Sequence, residues 1–472
     1  MIESTAPAFK ENARKALADT VLQSALSIAR PRFVDKRRKA KDRLPEFDAL
    51  RDQARDIKNH TLAHIDLYLE AYEAKVKEQG GEVHWAATPD EARDIVVGLC
   101  RRLQAKTVTK GKSMISEEID LNRALEQAGI TPIETDLGEY IIQLRGERPS
   151  HIIAPAVHLT KSEIVADFRR VHTHLPPGRD LSEISTIVGE ARGILREKYV
   201  EADVGITGAN YLIAETGTSI IVTNEGNGDL TQILPKAHIV VTSIEKLVPT
   251  LEDAATILRL LARSATGQEF SAYTTLSTGP RRSGDPDGPG EYHVVLLDNG
   301  RSRMLGGEFQ DMLRCIRCGA CMNHCPVYMA VGGHAYGWVY PGPMGAVLTP
   351  SLIGVENSAL LPNASTFCGR CEEVCPMRIP LPKMMRHWRE REFARHLSPP
   401  AQRSGLALWA YVARRPRLYA FASWLGHRIL RTMAGRKGRI AALPLAGAWT
   451  RHRDFPGPQK MTFREQWKRR PR

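Results

Sequence analysis

The sequence predicts an α/β body with a largely parallel sheet, followed by a compact cysteine-rich domain. Three observations carry that prediction. Strand-like and helix-like segments take turns from residue 82 to about 300. Seven of the eight cysteines stand between positions 315 and 375. The excess of positive charge is confined to one end: residues 401–472 hold 17 Lys+Arg against 2 Asp+Glu, and the preceding 400 residues hold 49 against 51. The net charge of +13 therefore describes a tail and not the body.

Taken in order, residues 1–81 read as a helical N-terminal region. Residues 1–45 are charged, with a basic cluster at "RPRFVDKRRKAKDR". Over 45–78, apolar residues recur at three- and four-residue spacing, which predicts one long amphipathic helix stopped by "QGG" at 79–81. In the 82–300 region, "EVHWA", "KTVTK", "SHIIAPA", "YLIAETGTSIIVTN" and "HIVVTS" read as strands. Between them, "TPDEARDIVVGLCRRLQA", "SEEIDLNRALEQAG", "SEIVADFRRV" and "LSEISTIVGEARGILREKYV" read as helices. The Gly- and Pro-dense stretch 277–293 is a loop or boundary. A cysteine domain follows at 305–390, and a basic C-terminal extension at 391–472.

Hydrophobic residues make up 42% and charged residues 25%, the balance of an ordinary soluble globular chain. No run approaches the roughly 18 consecutive apolar residues of a membrane span, and "MIESTAPAFKENARKAL" lacks the apolar stretch of a leader. The expected compartment is the cytoplasm, with the tail allowing a peripheral membrane association. Bunched cysteines are a poor disulfide framework for a chain of this size. In a reducing compartment they point to metal or redox chemistry. Cys100, inside the apolar part of "DIVVGLCRRL", reads as a core residue.

The run "CIRCGACMNHCP" at 315–326 has the spacing C-x2-C-x2-C-x3-CP. Three thiolates in one loop can grip one iron–sulfur cluster, while the cysteine before proline reaches a second cluster. Crossing the two runs in this way assigns Cys315, Cys318, Cys321 and Cys375 to cluster 1, a [4Fe-4S] centre. Cluster 2 receives Cys325, Cys368 and Cys371. Its fourth corner falls at position 365, where "STFCGRCEEVCP" has Ser365 in place of cysteine. Cluster 2 is then [3Fe-4S], or [4Fe-4S] with a ligand from Ser365, another residue, water, a partner or a substrate. Zinc prefers two separated cysteine pairs and leaves the first run unexplained.

Two further stretches are candidate sites. Lys110, Gly111, Lys112 and Ser113 lie between a strand and a helix N-terminus, where backbone N–H groups and two ammonium groups suit a carboxylate or phosphate. A solvated turn with a serine cap is the plain alternative, and the P-loop spacing is absent. Glu215 and Glu225 flank glycine-rich turns and suit substrate binding or acid–base work, or are simply solvated. His151, His158, His172 and His174 read as structural residues. In the tail, apolar and aromatic residues interleave with arginines, which fits basic amphipathic helices on an acidic partner or an acidic membrane surface. No nucleic-acid-binding motif is present, and no G-x-G-x-x-G follows a strand.

The stretches "MISEEIDLNRALEQAGITPIETDLGEYIIQL", "PSHIIAPAVHLTK" and "ITGANYLIAETGTSIIVTNEGNGDL", together with "CIRCGACMNHCPVY" and "CGRCEEVCP", resemble the lactate utilization protein B family. The resemblance covers about residues 60–390. It implies the iron–sulfur subunit of a three-part, flavin-independent bacterial system oxidising L-lactate to pyruvate. It implies a sugar-isomerase/CoA-transferase-like α/β lactate-utilization domain ahead of an α-helical, ferredoxin-like two-cluster domain. It also implies two partners, a cysteine-rich oxidoreductase subunit and a small subunit sharing the α/β domain. The seven cysteines carry over as ligands, no catalytic residue carries over, and a corner without cysteine matches the family's pattern. Two other readings remain open at this point: electron transfer for another 2-hydroxy acid or for glycerol phosphate, and a non-redox interaction protein with structural clusters.

Overall fold

The computed structural model describes residues 4–470 except 445 and 452. The chain divides into two units, Met1–Glu392 and Phe393–Arg472. The strands of the first unit are β1 (Glu82–Ala86), β2 (Thr107–Gly111), β3 (Thr131–Glu134), β4 (Val204–Thr207), β5 (Tyr211–Ile213), β6 (Thr218–Thr223), β7 (Ala237–Ser243), β8 (Leu247–Val248), β9 (Tyr273–Ser277) and β10 (Glu291–Leu297). Six of them form one sheet in the order β1-β10-β7-β4-β2-β3, and every neighbouring pair runs parallel. The expected α/β architecture is therefore present. A smaller sheet, β8-β5-β6-β9, is built around the turn between β5 and β6.

Parallel strands need crossovers, and helices on both faces leave the central strands wholly buried. This is why β7 and β10 read as near-continuous apolar runs. Their side chains alternate between two layers. Val240, Val294 and Leu296 join a core that includes helix Leu251–Ala265 and the N-terminal helices. Ile239, Val241, Val295 and Leu297 face helix Pro89–Arg102, with Val96, Leu99 and Cys100 beneath them. Cys100 is thus a core residue, and burial pushes its thiol up to about 12. The first core does not stop at the sheet: it runs on through Met312, Ile316, Cys318, Met344 and Cys375. The cysteine segment and the α/β layer share one apolar interior.

Three local expectations are corrected. The helix expected over 45–78 is two helices, Phe47–Ala63 and Ile65–Glu78. Buried Thr61 turns its hydroxyl back onto the Ile57 carbonyl, and the His64 N–H bonds Thr61 three residues back, which interrupts the ladder. The helix expected at 116–129 is broken into Met114–Glu118 and Leu121–Gln127 by Asp120 in the left-handed region, φ 58°. "SHIIAPA" is a loop and not a strand. The His151 ring accepts the N–H groups of Ile153 and Ala154, so those donors are taken from any sheet ladder.

In the second unit, helices Pro400–Ala413 and Pro416–Ala434 carry exposed Trp409, Tyr411, Phe421 and Trp424. Arginines lie over several of these rings, Arg415 over Tyr411 at 3.6 Å and Arg428 over Trp424 at 5.2 Å. Among the described residues, no helix is long and apolar enough to cross a membrane.

Candidate functional site

The two cysteine runs fold alike. Arg317 and Phe367, each directly before a cysteine, both take positive φ (58° and 53°), and Gly319 and Gly369 follow at 71° and 78°. A single helical turn succeeds each glycine, Ala320–Asn323 in one run and Arg370–Glu373 in the other. In this repeat Ser365 occupies the place that Cys315 holds in the first run.

The runs then exchange their last cysteines. One small cavity is walled by Cys315, Cys318, Cys321 and Cys375. A second is walled by Cys325, Cys368 and Cys371, with Ser365 on its rim. All eight cysteines are free thiols. Burial first, then neighbouring sulfurs, pushes Cys318 and Cys371 each up to about 12 and Cys321 well above its ordinary value. Thiols so placed keep their protons unless a cationic centre compensates them, and an iron–sulfur core is such a centre. The donor sets fit one. Ser365 accepts a hydrogen bond from the Phe367 N–H at 3.1 Å, so its hydroxyl also serves the local turn.

Buried arginines hold the second run from behind. Arg37, from helix Thr20–Asp42, donates to the Val374 carbonyl at 2.7 Å. Arg51, from helix Phe47–Ala63, donates to the carbonyls of Glu373 and Cys375, each at 2.7 Å. The basic N-terminal region thus supplies walls to the cysteine segment. Nothing in its local pattern separated these arginines from solvated ones.

The principal cavity, about 510 Å³, opens beside the carboxyl ends of β2, β3, β4 and β7. Crevices at strand carboxyl ends are where open α/β sheets bind ligands. Lys112, Ser113 and Glu225 line it, as their sequence positions suggested, with Lys112 paired to Asp136. Lys110 does not: it is buried between Glu117 (2.7 Å) and Glu134 (2.8 Å). A side chain at Gly111 would collide with the Thr135 hydroxyl, so its role is packing. Ser113 caps helix Met114–Glu118. Glu215 accepts the Leu251 N–H at the start of another helix and lies outside the cavity.

The histidines have structural partners. His151 sits between Phe33 and Tyr328 with Asn323 on its other nitrogen, and His158 bonds Ser150 and Glu147. His172 bonds Tyr140 and Glu190, while His174 is exposed.

Sequence reasoning missed the cavity's other wall. Lys246 and Arg317 line it, each 8% exposed. Arg317 and Ile152 also line the first cysteine cavity, so these two residues are common to the walls of both spaces. Burial, and then Arg317, draws Lys246 down to about 8. Burial opposes ionisation of Glu245, but Arg301, Arg317 and Lys246 hold its carboxyl down to about 2. Across the cavity, burial and the nearby Glu134 and Asp136 charges push Glu139 up to about 8. Arg317 was in view as a spacer between two cysteines, and only the fold gives it a second neighbour.

Comparison with known proteins gives this architecture a family. The LUD domain model matches residues 69–297, a 4Fe-4S dicluster domain matches 311–379, and the C-terminal domain of lactate utilisation protein B matches 370–472. Lactate utilization protein B of Bacillus pumilus is 41% identical over 98% of each chain. The chain belongs to the lactate utilization protein B family. The family's protein in Macrococcus caseolyticus is 42% identical over 97% of this chain and 96% of its own. An Escherichia coli relative, named an uncharacterized electron transport protein, is 40% identical over 98% and 96%. This member of the family combines a LUD-type α/β domain with an iron–sulfur domain of the dicluster type.

Proposed function

We propose that this protein is the iron–sulfur electron-transfer subunit of an L-lactate-oxidising complex, serving the conversion of L-lactate to pyruvate and growth on lactate. The observation that carries the reading is the exchange of cysteines between two like-folded runs beside the cavity of the α/β domain. Bound iron–sulfur clusters supply one-electron acceptance and donation at fixed positions.

In this reading Cys315, Cys318, Cys321 and Cys375 hold a [4Fe-4S] cluster. Cys325, Cys368 and Cys371 hold a second cluster, [4Fe-4S] or [3Fe-4S], with Ser365 at its fourth corner. Arg37 and Arg51 fix the backbone that carries Cys375, and Arg317 stands between the first cluster's cysteines and the cavity. The working regions are 1–81, 82–300, 305–390 and 391–472.

Family membership supports two partners, a cysteine-rich oxidoreductase subunit and a small subunit with the same α/β domain. The ring-stacked arginines of the extension support docking on an acidic partner or an acidic membrane surface. Seven bunched thiols support a reducing compartment, the cytoplasm.

The test is an anaerobic redox titration of the purified protein followed by EPR, with and without co-purified partners. Two centres that cycle, and are reduced by L-lactate only when the partners are present, are the expected result. Centres that do not cycle would make the clusters structural. Reduction by glycolate or glycerol phosphate in preference to lactate would reassign the substrate.

A further inference from the structure

Among the described residues, buried charged side chains of the first unit meet an opposite charge or backbone and side-chain hydrogen-bond partners, and the exception lies on the cavity wall. Arg301, wholly buried, bridges Glu118 at 2.7 Å and Glu245 at 2.9 Å. Arg317 reaches Glu245 from the other side at 3.1 Å. Two guanidiniums and two carboxylates cancel. The Lys246 ammonium is left over: among the described residues no hydrogen bond or ion pair reaches it, although the residue is only 8% exposed and lines the cavity. An unpaired buried cation is costly, and folds keep one where a ligand completes it. Lys58, a buried lysine bonded to the residues on either side of Lys246, shows the contrast, since its ammonium donates to the Glu245 and Leu247 carbonyls at 2.6 and 2.8 Å.

The opposite wall favours a monoanion with a further polar group. Lys112 and Asp136 neutralise one another there. Glu139 Oε2 is a buried oxygen without a hydrogen-bond partner, and Glu139 and Glu225 both line the cavity. A dianionic phosphate would bring its second charge towards these carboxyl groups. A monocarboxylate brings one charge to Lys246, and a neighbouring hydroxyl can donate to Glu139 Oε2, or a keto oxygen accept from the protonated Glu139 carboxyl. Asn210 also lines the cavity, its Oδ1 holding the Val222 N–H, whereas the Asn224 amide is taken up by Gln268 and Ala272.

We propose that the cavity binds a small organic monocarboxylate of the 2-hydroxy- or 2-oxo-acid type, with its carboxylate on Lys246, the side chain that sits against Arg317 on the wall shared with the first cysteine cavity. This deepens the function proposed above and rests on it for the identity of the acid. The anchor is one lining residue of a 510 Å³ space, ample for an acid of this size. The proposal concerns binding and includes no electron or proton transfer.

Isothermal titration of the anaerobically purified, cluster-loaded protein with L-lactate, pyruvate and inorganic phosphate tests it. The wild type should bind lactate or pyruvate in preference to phosphate. Lys246→Gln should weaken that binding about tenfold or more, as loss of one charged hydrogen bond does, with iron and sulfide content unchanged. Lys246→Arg should restore part of it. Absence of lactate and pyruvate binding to the loaded wild type overturns the proposal, as does unchanged affinity in Lys246→Gln. A variant that shifts the cluster potential but not the affinity also overturns it, and makes Lys246 a counter-charge for the cysteines. The redox titration is read separately. Cycling centres without acid binding would sink only the binding site, and acid binding beside centres that do not cycle would sink only the electron-transfer reading.

Discussion

The two cysteine cavities grow from the same local fold, yet they differ in what surrounds them. The first has four sulfurs in its wall, Arg317 on one side, and behind Cys375 the buried Arg51. The second has three sulfurs, an exposed Cys368 and a half-buried serine. In the proposed reading, the first cavity would hold a centre enclosed against the α/β cavity, and the second a centre nearer the surface. Depth and ligand count are the levers by which a protein sets cluster potential and lability, so the difference should be measurable.

The largest effects should come from the cysteines themselves. Cys318→Ser and Cys375→Ser should each lower iron and sulfide by the content of the same centre, although the two residues belong to different runs. Cys371→Ser and Cys325→Ser should lower the other. All four should abolish growth on lactate. Normal iron in any of them, or matching EPR losses within one run in place of across the two, would break the comparison.

Next in size is Arg51→Ala. It removes bonds to the Glu373 and Cys375 carbonyls, the second of them on a buried residue, a loss of about 2 kcal/mol. Denaturant unfolding should show that loss, with iron leaving the first centre before the second. Arg51→Lys, which keeps the charge but not the fork, should fall between.

A smaller change is expected at Ser365. Because its backbone stands where Cys315 stands in the other run, Ser365→Cys should hold iron more firmly in the second centre. EPR after mild oxidation would then lose its three-iron signal, and the potential would shift. Identical spectra before and after oxidation in both proteins would mean that another group already fills the corner.

The smallest is a pH slope tied to the first cavity's surroundings. Burial pulls Lys58 down to about 7 from an unfolded value near 10.5. Between those values the unfolded chain keeps a proton that the folded one has released, so stability should rise with pH from about 7 upwards. Thermal midpoints at pH 7 and pH 9 should show this rise in the wild type and a flatter response in Lys58→Met.

How much of this was readable beforehand depended on whether a feature was local. The alternation of strands and helices, the β-branched run of β7 and the spacing of the cysteines are sequence-local, and they announced the parallel sheet and the iron–sulfur chemistry; β10 was missed because it begins inside the Gly- and Pro-dense stretch 277–293. Ser365 was visible as an absence. Lys110 and Lys112 were indistinguishable in sequence, but Lys110 lies inside β2 and goes to Glu117 and Glu134, while Lys112 follows the strand at φ 56° and goes to the cavity. Lys246, Arg37 and Arg51 left no local signal, because each acquires its meaning from chain far away. "SHIIAPA" misled because its β-branched residues fit a strand while the His151 ring captures the N–H groups that a strand needs.

The arginines reaching down from helices Thr20–Asp42 and Phe47–Ala63 also tie distant parts of the first unit together. Arg37 and Arg51 bond the carbonyls of Val374, Glu373 and Cys375, more than 320 residues further along the chain. Contacts of that sequence separation close only once the chain between them is in place, so the backbone carrying Cys375 takes its support from the far end of the unit.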